Sequence, residues 1–80
     1  MRYDRAFAEC GFHARVRRDG SCRVAPVHGG PVRVRSSLSD AVRVLYAECA
    51  LAAAAADASG DTWCAAVWHR RALVLISCQP

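Results

Sequence analysis

The sequence predicts an α+β domain, an antiparallel sheet of about five short strands packed on one long helix. Three observations carry this. Between Leu38 and Ala56 the apolar residues recur with helical spacing. From Phe12 to Arg17 the period is two, and the hairpin signal Arg18-Asp19-Gly20 follows. Near the C-terminus, Ala72–Cys78 is a short unbroken apolar run, as in a strand covered on both faces. Eighty residues make a single domain, residues 1–80.

Taken in order, residues 2–10 fit two descriptions. Tyr3, Phe7 and Cys10 at i, i+4, i+7 suit a short helix ending at Gly11, and an edge strand fits nearly as well. The hairpin register is more sharply defined. A three-residue Arg18-Asp19-Gly20 loop sets Arg17 against Ser21, Val16 against Cys22, Ala14 against Val24 and Phe12 against Pro26. All apolar partners then share one face, whereas a two-residue loop mixes the faces. Pro26 to Pro31 reads as a turn, and Val32-Arg33-Val34-Arg35 as a third strand. The inward set becomes Phe12, Ala14, Val16, Cys22, Val24, Val32 and Val34.

The long helix spans Ser37 to Gly60. Ser37 is placed to cap it through the amide of Asp40, and Asp40 complements the helix dipole. Gly60 suits the left-handed residue beyond its end. Thr62–Trp68 then reads as a fourth strand, His69-Arg70 or His69-Arg70-Arg71 as a turn, and Ala72–Cys78 as a fifth strand.

Composition narrows the function. Hydrophobic residues make up 54%, many of them alanine, and no apolar run reaches the length of a membrane span. No secretory leader is expected at an N-terminus broken by Arg2, Asp4 and Arg5. The net charge is +4 and all eleven basic residues are arginine, whose planar guanidinium grips carboxylates and phosphates in a bidentate way. Five cysteines with no leader suggest reduced thiols in a cytoplasm.

The clearest functional feature is an outward arginine face of Arg15, Arg17, Arg23, Arg33 and Arg35. Its bland reading is a solvated surface in an arginine-biased proteome. Its functional reading is a contact surface for phosphates or an acidic protein patch. Arg70 and Arg71, beside Trp68, extend the candidate set, because Trp63 and Trp68 on opposite faces of one strand leave one tryptophan free as an interface anchor. Cys10, His13, Cys22 and His28 offer four potential zinc ligands, although Cys22 points inward and His13 outward. Cys49, Cys64 and Cys78 read as small core hydrophobes. No catalytic constellation, phosphate-binding glycine loop or nucleic-acid motif is present, so no cofactor is implied and an enzyme is the least supported class.

The basic hairpin, the helix opening Ser37-Leu38-Ser39-Asp40-Ala41-Val42-Arg43-Val44-Leu45, and a Trp-containing two-stranded hairpin ending in Cys78-Gln79 together resemble certain very small phage anti-CRISPR proteins. The resemblance implies a non-enzymatic inhibitor that binds a type I surveillance (Cascade) complex in the bacterial cytoplasm and blocks its engagement of target DNA. The partner would be a protein or ribonucleoprotein, with direct nucleic-acid contact open and the chain a monomer or homodimer. The alternatives are a small basic nucleic-acid-binding regulator and a zinc-stapled interaction module.

Overall fold

A computed structural model describes residues 2–78. The elements run α1 (Tyr3–Glu9), β1 (Phe12–Val16), β2 (Cys22–Pro26), β3 (Arg33–Arg35), α2 (Leu38–Ala58) and α3 (Thr62–Ser77). The class is α+β, but the sheet has three strands in the order β1-β2-β3, and two long helices accompany it. The expected five-stranded sheet is therefore corrected. The expected strands 62–68 and 72–78 are instead one helix that runs to Ser77 with Cys78 as its C-cap, and His69-Arg70-Arg71 lies in its interior instead of a turn.

The reason is local. Asp61 accepts a hydrogen bond from the Cys64 amide at 3.0 Å and starts α3 with an N-cap. No glycine or proline interrupts residues 62–77, and Ala65, Ala66, Ala72, Leu73 and Leu75 are good helix formers. Ala65, Ala72 and Leu75 are buried and Trp68 packs at the edge of the core, a 3, 4, 3 spacing along one face. A short run of Val, Leu and Ile does not by itself separate a strand from a buried helical turn. Both tryptophans thus sit on a helix. Trp63 is 75% exposed, and Arg71 stacks over the Trp68 ring at 4.7 Å from its centroid.

The rest of the core follows the apolar pattern. Residues 3–9 take the helical alternative and bury Ala6 and Phe7. In α2 the buried positions are Ala41, Val42, Leu45, Cys49 and Ala53. Ser37 caps α2 by accepting from the Asp40 amide at 3.0 Å, and Gly60 past its end has φ +77°. Helix α1 rests on β1 and α3, while α2 runs along α3 and touches β2 and β3. The stripe of α2 expected to cover a sheet is mostly covered by α3. At about 1.5 Å per residue, α2 is roughly 31 Å long and reaches well past the short sheet. The contiguous core includes α2 residues only as far as Cys49 and α3 residues only from Ala72, apart from the partly buried Trp68. Among the described residues, no helix is long and apolar enough to cross a membrane.

Candidate polyanion-binding hairpin

The β1–β2 hairpin adopts the register that apolar matching requires. Phe12 faces Pro26, Ala14 faces Val24 and Val16 faces Cys22. The loop closes through Arg17 N–H to the Ser21 carbonyl at 2.8 Å and Gly20 N–H to the Arg17 carbonyl at 3.0 Å. Gly20 sits at φ +89°, a conformation costly for any residue with a Cβ. Asp19 accepts from the Ser21 hydroxyl at 2.6 Å and from its amide at 2.9 Å. These bonds, the hydroxyl first, hold the Asp19 carboxyl below its ordinary value. The hairpin's one carboxylate is therefore committed to the turn.

The opposite face carries the charge. Arg15 and Arg23 are direct cross-strand partners. Arg17 lies two residues from Arg15 on the same side, about 7 Å along the strand. With Arg18 and Val16 they line an open concavity at the end of the hairpin. None of these four arginines forms an ion pair with a carboxylate of the described residues. Two guanidinium groups abreast repel one another, so the free hairpin carries an electrostatic cost that an anion removes.

The third strand departs from expectation. Cys22 pairs with Arg35, Arg23 with Val34 and Val24 with Arg33. Arg33 and Arg35 thus share the inner, helix-facing side with Cys22 and Val24, while Val34 stands outside beside Arg23. The expected five-arginine face is corrected to two strand arginines, Arg15 and Arg23, with Arg17 and Arg18 at the loop. A Val-Arg-Val-Arg strand alternates equally well in either phase, so its phase is decided by its surroundings. Glu48 of α2 forms an ion pair with Arg33. The stems of Arg33 and Arg35 lie along Phe7, Phe12 and Leu45, which lets their apolar methylenes cover the core. The cost is exposure of Val34 at 52%.

The remaining candidates do not join the cluster. Arg70 and Arg71 belong to α3, with Arg70 exposed beside Ala66, His69 and Leu73. Cys10 is buried at the end of α1, His13 is exposed on β1, Cys22 points into the core and His28 lies in the exposed loop. Among the described residues, no three His, Cys, Asp or Glu side chains are grouped so as to hold a metal ion. Arg18 reads from the sequence as a turn residue and is not among the expected contacts, although its place between Arg17 and the committed Asp19 is a signal for it. Gln79, which completes the Cys78-Gln79 match, lies outside the described residues.

Cys10, Cys22, Cys49 and Cys78 are buried core thiols, while Cys64, expected in the core, is only half-buried near the start of α3. Burial, with Cys49 alongside, pushes Cys10 up to about 11, from an ordinary 9.0. Burial likewise raises Cys22, Cys49 and Cys78. Above pH 9 the unfolded thiols ionise while the folded ones keep their protons, so unfolding releases protons and stability falls as pH rises. Thermal melts under reducing conditions are expected to hold steady up to about pH 9 and to drop towards pH 10.5. A flat profile across that range would contradict this.

Fold and site together define a small α+β protein that displays a basic hairpin at one edge of a three-stranded sheet. Searches against known protein families, curated proteins and solved structures find no match.

Proposed function

We propose that this chain is a non-enzymatic binding protein that grips the phosphate backbone of a nucleic acid with the outer face of its β1–β2 hairpin. The observation that supports this most is the group of four hairpin arginines without carboxylate partners, beside an aspartate committed to the turn. Between residues 12 and 35 there are six arginines and one acidic residue, so positive potential is concentrated on the sheet. A protein partner of comparable affinity would call for buried aromatic anchors. The exposed face offers His13, Ala25 and Val34 around the arginines and no aromatic carbocycle. Phosphates need charge and bidentate donors, and this face supplies both.

Three or four phosphate contacts imply that log affinity for duplex DNA falls against log salt with a slope of about −3 to −4. Fluorescence anisotropy with a mixed-sequence duplex, between low and moderate salt, measures it. Absence of binding at the lowest salt would overturn the proposal. Inhibition of a type I surveillance complex is a narrower proposal that rests on the residue match at 37–45 and would use the same arginines on a ribonucleoprotein. Unimpaired target-DNA binding by a purified complex saturated with this protein would remove it.

A further inference from the structure

We infer that the nucleic acid is double-stranded DNA and that the end of the β1–β2 ribbon enters its major groove. The inference rests on the phosphate-binding reading above and goes beyond it in naming duplex form and groove. Four features of the hairpin support it.

The first is reach. Val16 pairs with Cys22 and by register belongs to the inner face, yet it is 39% exposed while Cys22 is fully buried. Cover of the inner face therefore reaches β2 but not β1 at this level. Residues 15–20, the end of β1 and the loop, are all exposed, whereas Cys22 on β2 is buried. The β1 edge and the loop tip, bare on both sides, are free to enter a groove, while β2 from Cys22 onward stays on the core.

The second is width. β3 pairs with β2 as far as Cys22–Arg35, so the hairpin is two strands wide only beyond the Val16–Cys22 pair. Strands there lie about 4.8 Å apart, and the major groove of B-form DNA, roughly 12 Å wide, admits a two-stranded tip toward which the long Arg15 and Arg23 side chains can reach. The third is donor placement. Arg15 and Arg23 stand abreast on the outer face, with Arg17 just past the end of β1. Paired guanidinium forks match the O6 and N7 acceptors that guanine shows in that groove, and Arg18 at the loop is placed for the flanking phosphates. The fourth concerns the alternatives. Single-strand binders stack bases on aromatic rings, and residues 13–25 contain no Phe, Tyr or Trp. A-form RNA has a major groove too deep and narrow for side chains to read.

The test uses the intact chain and three fluorescent probes of one sequence, as duplex DNA, duplex RNA and single-stranded DNA. At one fixed low salt concentration, duplex DNA is expected to bind at least tenfold more tightly than the other two. Methylating guanine N7 in the duplex is expected to weaken binding. Arg15→Lys/Arg23→Lys keeps the charge but removes the forks, and is expected to retain binding while losing the preference for duplex DNA. Equal affinity for all three probes, or indifference to N7 methylation, would overturn the groove assignment and leave the backbone reading intact. Failure to bind any probe would overturn both.

Discussion

Replacing Arg15, Arg17 and Arg23 together with glutamate is expected to lower duplex DNA affinity about a hundredfold or more, taking at least roughly 1 kcal/mol for each lost contact. The variant is expected to stay folded, because all three side chains are exposed and none makes an internal ion pair. The informative control is Arg33→Gln/Arg35→Gln. Those residues lie on the helix-facing side, so binding is expected to change only a few-fold. Comparable losses in both variants would mean that net charge, not the hairpin, governs binding. A further consequence follows from the cross-strand pair. Arg23→Glu alone places opposite charges abreast with Arg15 and is expected to stabilise the free protein by about 0.2–1 kcal/mol while weakening binding. Gain of stability with loss of binding is the expected mark of a functional surface that carries its own repulsion.

Arg70→Pro is expected to cost about 3 kcal/mol or more. Position 70 is in the interior of α3, and a proline there removes the amide bond to Ala66 and crowds its carbonyl. A domain of this size has only about 5–10 kcal/mol of stability, so the loss would appear as a large drop in melting temperature or as outright unfolding. Arg70→Ala is expected to be close to neutral, since the side chain is exposed and alanine favours helix. Had residues 69–71 formed a turn, proline would have been tolerated. Circular dichroism melts of the two variants therefore separate a single helix from a hairpin.

What the sequence revealed and what it hid follow from where its constraints are strong. The hairpin register was readable because Asp19-Gly20 marks the loop and only one pairing sets Phe12, Ala14, Val16, Cys22 and Val24 on one face. Helix α2 was readable because Ser37 and Asp40 mark its start, Gly60 its end, and its apolar spacing repeats over five turns. Helix α3 was misread because the apolar density of 72–76 masks the weaker spacing of Ala65, Trp68, Ala72 and Leu75. The Asp61 cap was the signal to weigh more heavily. The phase of β3 was not encoded in its own four residues. It depends on Glu48, fifteen residues away from Arg33 and on another element. The candidate site was accordingly half legible. Arg15, Arg17 and Arg23 stand where alternation put them, while Arg33 and Arg35 face the helices.

Amide chemical-shift mapping during titration with duplex DNA tests the central claim most directly. The largest perturbations are expected within residues 13–25, centred on Arg15, Arg17, Arg18 and Arg23, with β3, α2 and α3 little changed. Perturbations centred on the α2–α3 face around Leu73 and Trp63, or spread without focus over the molecule, would contradict the assignment of the hairpin as the contact element.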